Sequence, residues 1–190
     1  MDCLDRYFAL ATLACLILLV MMRTIQLKKL GIRAFLFGKM DKKDFLIPPF
    51  VILYIYILLG SSFQWPVLGT QLYRSQAMSI IGVVFCLLGL LFFGYALISF
   101  GKSFRVGLDE NHPGELVTSG AFAISRNPIY VSFILVFIGI FFIIPNWILL
   151  VYVLAGTCLI YRQIKLEEKS LRSIYGGAYE EYCGKVRRFL

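Results

Sequence analysis

Five long apolar runs separated by polar segments set the pattern of this chain, at about residues 7–22, 45–62, 77–100, 129–144 and 147–161. Each is read as a helix crossing a bilayer, because a backbone in hydrocarbon must satisfy its own hydrogen bonds. Several are shorter than the ~20 residues that a ~30 Å hydrocarbon core asks for. Flanking residues or a locally thin bilayer would make up the difference. Pro48-Pro49 falls in the first turn of the second run, where a missing N–H costs least. Only Pro145-Asn146 lies between the last two runs, which predicts a tight helical hairpin. Past residue 161 the pattern changes. Leu166, Ser170, Leu171 and Ile174 alternate with charged positions at helical spacing, so the helix is expected to leave the membrane and continue until Gly176-Gly177 ends it. The fold class is therefore all-α integral membrane with five transmembrane helices.

Gly82, Cys86 and Gly89 share one face of the third run, where small side chains let membrane helices approach closely. The first run has the length of a signal-peptide core. Its flank carries Asp2, Asp5 and only Arg6, and no small-residue cleavage site is evident, so a mature helix is expected.

Composition agrees with a membrane domain. The 190 residues are 59% hydrophobic and 16% charged, against roughly half and a quarter in soluble domains. One membrane domain over residues 1–190 is read, with no separate soluble part. The net charge of +8 does not point to nucleic acid, because the basic residues gather beside apolar runs. Seven lie in residues 23–44, three in 101–128 and seven after the fifth run; the opposite side has only Arg6 and Arg74. The positive-inside bias places the N-terminus outside and the C-terminus in the cytoplasm. Three of the five cysteines (Cys15, Cys86 and Cys158) lie in apolar runs, where cysteine acts as a small hydrophobe. No Cys/His spacing suggests a metal, and no disulfide is expected.

Two polar patches remain, both assigned to the cytoplasmic side. The first is the segment from Phe100 to Tyr130, opening Gly101-Lys102-Ser103-Phe104-Arg105 and holding Leu116-Val117-Thr118-Ser119-Gly120-Ala121-Phe122 and Arg126-Asn127-Pro128-Ile129-Tyr130. Its glycines permit close backbone approach, and its arginine offers a planar fork to a carboxylate. Alternatively, Arg126 meets headgroups and Pro128 merely starts a helix. The second patch holds Glu167-Glu168, then Tyr175-Gly176, Tyr179, Tyr182 and Arg187-Arg188-Phe189. Glu168 has Arg172 four residues on, the spacing of a helical ion pair. Glu167 has Leu171 there and so no local cation, which suits a partner elsewhere in the fold or a ligand amine. Tyr175, Tyr179 and Tyr182 form a stripe read as an interfacial aromatic anchor. His112 is read as a solvated loop residue.

The ordered set of these motifs resembles the catalytic half of the isoprenylcysteine carboxyl methyltransferases and the phospholipid N-methyltransferases. The resemblance covers about residues 100–190 and divides the chain into three N-terminal helices (1–100) and a catalytic half (101–190). It implies a non-Rossmann membrane methyltransferase using S-adenosyl-L-methionine. The cofactor would be enclosed at the cytoplasmic face by the loop before the fourth helix and by the C-terminal tail. By motif it implies that Leu116 and Val117 touch the cofactor through their backbone. Gly120, Phe122 (in place of a tyrosine), Arg126, Asn127, Pro128 and Tyr130 belong to the same site. Glu167 is implied as the partner of the cofactor ammonium. Arg162, Glu167 and Tyr130 are the implied catalytic set. The arginine that the prenylcysteine enzymes carry four residues before the glutamate is replaced here by Gln163, with Arg162 about 100° round the helix. The implied acceptor is lipophilic, an isoprenylcysteine-like carboxylate or a lipid amine. A membrane reductase of the sterol reductase type, and a non-catalytic scaffold or transporter, are the alternatives; no charged residue lies within the five runs, as a transporter would require.

Overall fold

Helical hydrogen bonding carries the elements past the ends of their apolar runs. The computed structural model describes residues 3–29, 47–66, 68–101 and 115–190. It holds α1 (Cys3–Lys29), α2 (Ile47–Phe63), α3 (Gln76–Phe100), a 3-10 turn (Gly120–Ala123), α4 (Pro128–Ile143), α5 (Trp147–Tyr175) and α6 (Gly177–Lys185). Among the described residues no strand forms; one isolated bridge joins Gln71 to Asn146. α1, α3 and α5 are long and apolar enough to cross a membrane. α2 and α4 are apolar but shorter, at 17 and 16 residues. α1 extends beyond residues 7–22 at both ends, because adding a turn to an existing helix costs little. Asp5 in its first turn and Lys28 and Lys29 in its last favour the helix dipole. His112 and Lys102–Arg105 lie outside the described residues.

Hydrogen bonds at the helix ends fix the directions. Ser79 Oγ donates to Asp5 Oδ2 (2.8 Å), and Arg23 donates to the carbonyl of Gly101, so α1 and α3 run parallel. Ser62 Oγ donates to the carbonyl of Arg6 (3.2 Å), so α2 runs back against α1. α4 runs back against α3, and the Pro145-Asn146 hairpin turns α5 forward again. Asn146 caps α5: its Oδ1 accepts from the N–H of Ile148 (2.8 Å), while its Nδ2 donates to the carbonyl of Leu68 (2.9 Å). The five apolar helices therefore alternate in direction.

The core is apolar packing between these helices, with Ala9, Tyr54, Ile57, Cys86, Val136, Ile140 and Leu149 among its buried members. The small-residue stripe on α3 serves one purpose, a close antiparallel crossing with α4. A Cβ on Gly82 would lie 2.6 Å from the carbonyl oxygen of Gly139, and one on Gly89 would lie 2.7 Å from Val136 Cγ2. Between hydrocarbon-solvated helices, dispersion at such contacts replaces the hydrophobic drive.

The polar continuation of α5 forms as expected, with one correction. Gly176 (φ +51°) ends the helix, its N–H donating to the carbonyl of Arg172 (3.0 Å), but Gly177 opens α6 rather than closing α5.

Gly82 and Gly94, both on α3, should respond oppositely to alanine. Gly82→Ala forces backbone apart and should cost about 1–3 kcal/mol. A methyl group on Gly94 would meet nothing within 4 Å, so Gly94→Ala should stabilise by about 0.5–1 kcal/mol. Thermal unfolding in detergent reads both signs.

Candidate functional site

At the end of the bundle formed by the start of α4, the chain is pinned before it enters the helix. Gly120 (φ +63°) sits against α3, where a Cβ would collide with the Ser99 side chain. Ser99 Oγ accepts from the N–H of Ala121 (3.0 Å), anchoring the 3-10 turn. Phe122 then packs edge-on against Phe100, with ring centroids 4.8 Å apart. Ser125 Oγ accepts from the N–H of Asn127 (3.1 Å), and Pro128 opens α4 with no N–H to leave unsatisfied.

The C-terminal tail closes over this segment. The N–H of Arg126 donates to the carbonyl of Arg187 (2.9 Å). Ser125 Oγ (3.2 Å) and Asn127 Nδ2 (3.1 Å) both donate to the carbonyl of Arg188. Tyr182 donates its hydroxyl to the carbonyl of Phe122 (2.6 Å), and burial pushes that hydroxyl up to about 12. Phe122, Tyr179 and Tyr182 are buried together, with Leu116 and Val117 packed against them. The tyrosine stripe is thus a core and not the interfacial anchor expected from its spacing: α6 turns back at Gly176 and presents Tyr179 and Tyr182 to the loop.

The adjacent glutamates divide between two roles because neighbours on a helix point about 100° apart. Glu168 is 1% exposed. Arg188 grips it in bidentate fashion, Nε to Oε1 at 2.9 Å and Nη2 to Oε2 at 2.8 Å, and Arg126 Nη2 lies 3.4 Å from Oε1. These bonds to Glu168 hold the Arg188 guanidinium above its ordinary value. The expected pairing of Glu168 with Arg172 does not form; Arg172 Nε instead donates to Glu180 Oε1 across the α5–α6 turn (2.7 Å). A buried carboxylate needs a cation inside the fold, and the exposed helix face cannot provide it. The signal in the sequence was the arginine pair near the end of the chain.

Glu167 faces α4. The Tyr130 hydroxyl donates to its Oε1 at 2.5 Å, and Gln163 Nε2 donates to the same oxygen at 3.1 Å. Among the described residues no cation forms an ion pair with Glu167. Of the expected site residues, the fold brings Tyr130 and Glu167 into contact and gathers Phe122, Arg126, Asn127 and Pro128 into the adjoining loop. Leu116 and Val117 lie in non-helical chain, so helical bonding does not consume their backbone groups. Arg126 is engaged by Glu168, and its Nε is buried without a hydrogen-bond partner among the described residues. Arg162 is exposed on a neighbouring strip of α5; Gln163 is the side chain that reaches the carboxylate. Among the described residues no group of histidine, cysteine and acidic side chains is placed to hold a metal ion.

Fold and site define a multi-pass helical membrane protein with a polar segment, closed over by the C-terminal tail, at one end of the bundle. A family model described as phospholipid methyltransferase matches residues 77–178, more than half of the chain, and the protein belongs to that family. The chain is 30% identical over 117 residues to a probable protein-S-isoprenylcysteine O-methyltransferase of Oryza sativa subsp. indica, an alignment covering 57% of this chain and 59% of the relative. The same figures hold for the counterpart in Oryza sativa subsp. japonica. It is 33% identical over 112 residues to protein-S-isoprenylcysteine O-methyltransferase of Xenopus laevis, covering 57% of this chain and 39% of the relative. The chain thus spans about three-fifths of the length of the rice relatives.

Arg188→Ala should leave the buried Glu168 with Arg126 alone and cost about 3 kcal/mol, a drop in Tm of roughly 6–12 °C at about 2–4 °C per kcal/mol. Lys185→Ala, which removes an exposed pair with Glu181, should leave Tm unchanged. Parallel melting curves distinguish the two.

Proposed function

We propose that this protein transfers a methyl group from S-adenosyl-L-methionine to a lipophilic acceptor at the cytoplasmic face of a membrane. The contact of Tyr130 with Glu167 carries the reading: a partly buried carboxylate held by two neutral donors is suited to an ammonium group. The donor set fits the cofactor in other respects. Non-helical backbone at Leu116 and Val117 offers amides and carbonyls, and the nearby Phe122 ring offers an apolar face. When bound, the cofactor supplies a sulfonium methyl that is already activated, so no metal or general acid is required of the protein.

The protein's own residues orient and exclude water. Tyr130 fixes the Glu167 carboxylate by donating to Oε1. Gln163 holds the same oxygen from one turn earlier on α5. The Glu168–Arg188–Arg126 cluster keeps the loop and tail closed against each other, so that the reactants are held in line rather than meeting by diffusion. Arg162 lies on the exposed side of α5, where it would meet an acceptor carboxylate or a lipid headgroup.

Five crossings are part of the proposal. The alternating directions support it, and α2 and α4, though short, are flanked by polar segments that suit a thinned bilayer. The basic loops and tail then lie in the cytoplasm, on the side where the soluble cofactor is found. The rice and frog relatives are described as acting on isoprenylcysteine. With Gln163 at the position the prenylcysteine enzymes fill with arginine, the acceptor here extends to lipid amines as well as carboxylates.

Calorimetric titration of S-adenosylmethionine into the purified full chain should show one saturable site. Glu167→Ala and Tyr130→Phe should each weaken it about 10–100-fold, the loss of a charge-assisted hydrogen bond of about 1.5–3 kcal/mol. Absence of binding by the wild-type chain, or unchanged affinity in both variants, would rule the proposal out.

A further inference from the structure

The opposite end of the bundle carries a second polar feature that methyl transfer does not use. The start of α1, the end of α2 and the α4–α5 hairpin enclose a cleft of about 190 Å³. Arg6, Ser61, Gln64, Trp65, Gln71 and Asn146 contribute to its walls. Arg6 Nη1 donates to the carbonyl of Ser61 (3.1 Å), but its Nε is buried and has no hydrogen-bond partner among the described residues. A buried guanidinium N–H left unbonded is costly unless something occupies its site. Among the described residues no carboxylate lines the cleft; the neighbouring Asp5 accepts a bond from Ser79.

A further observation points to a lipid. Gln64 sits at the rim with φ +57° as the C-cap of α2, where the N–H of Trp65 donates to the carbonyl of Gly60 (3.0 Å). Beside it, Tyr7, Phe63 and Trp65 form an exposed aromatic series, Tyr7 edge-on to Phe63 with centroids 5.9 Å apart and Phe63 stacked on Trp65 at 5.8 Å. Such rings settle at headgroup depth. Asn146 is not available to a ligand, since both ends of its amide are used in the hairpin.

We infer that this cleft binds one phosphate group through Arg6, with Gln64 and Trp65 as rim donors, and that the phosphate belongs to a phospholipid of the leaflet opposite the methyl-transfer site. The inference does not rest on the methyl-transfer reading. A guanidinium presents paired N–H donors that match phosphate oxygens, and the aromatic rim holds the lipid backbone beside them.

Isothermal titration of the full chain in detergent with dihexanoyl phosphatidylglycerol, dihexanoylglycerol and inorganic phosphate tests this. The phosphatidylglycerol should saturate one site that dihexanoylglycerol does not fill. Inorganic phosphate should compete at least tenfold more weakly; equal affinity for it would replace the lipid with a soluble phosphate and overturn that part of the inference. Arg6→Gln should reduce phosphatidylglycerol affinity at least tenfold, and Arg6→Lys, which keeps the charge but not the planar fork, should recover only part of it. Should Arg6→Gln fail to fold, Gln64→Glu decides in its place: its new charge should also reduce affinity tenfold. Wild-type affinity in the deciding variant, or equal binding of the two dihexanoyl compounds, would remove the site.

Discussion

The organisation of the C-terminal half depends on one buried carboxylate. Glu168 is nearly inaccessible, and two guanidiniums from opposite ends of that half converge on it. Taking a charge out of water is costly, so the fold is stable only when Arg188 and Arg126 arrive together. Arg126 lies just before α4 and Arg188 near the end of the chain. Their shared partner therefore closes the loop and the tail into one body, and the backbone bonds of Arg126, Asn127 and Ser125 to the tail follow from that closure. The Phe122–Tyr179–Tyr182 cluster and the bond from Tyr182 to the Phe122 carbonyl add apolar and polar contact to the same closure.

The bilayer imposes the complementary constraint. Helices solvated by hydrocarbon gain little from burying more hydrocarbon, so close backbone approach and paired polar groups must hold them. α3 and α4 meet through Gly82, Gly89 and Gly139. The ends are tied by polar bonds, Asp5 to Ser79 at one end and Arg23 to Gly101 at the other. This locks α4 in position, and with it Tyr130 in its first turn. The distance between Tyr130 and Glu167 is then a consequence of packing that extends through the whole bundle.

Placing two glutamates side by side on α5 gives each carboxylate its own surroundings. One side chain is spent on the clamp and the other faces α4 with neutral donors. The rotation between successive helical residues keeps the two environments apart although they are adjacent in sequence. Gln163 and Tyr130 both bond the same oxygen of Glu167, which orients the carboxylate without neutralising it.

The sequence by itself determined the helical class, the location of the apolar runs, the hairpin at Pro145-Asn146 and the continuation of α5, because hydrophobic run length and helical periodicity are local properties. The motif residues from Leu116 to Tyr130 and Glu167 were legible as a group for the same reason: they stand in order along the chain. Only the tertiary structure decided which partners they meet. The i+4 spacing suggested Arg172 for Glu168, but burial selected Arg188, since desolvation depends on what covers a residue and not on its neighbours in sequence. Tyr179 and Tyr182 had the spacing of an interfacial anchor, yet the turn at Gly176 directs them inward against Phe122. Arg6 stood out in the chain only as one of two basic residues on its side; its Nε, buried and without a partner among the described residues, is placed by the meeting of three helix ends that no local pattern encodes.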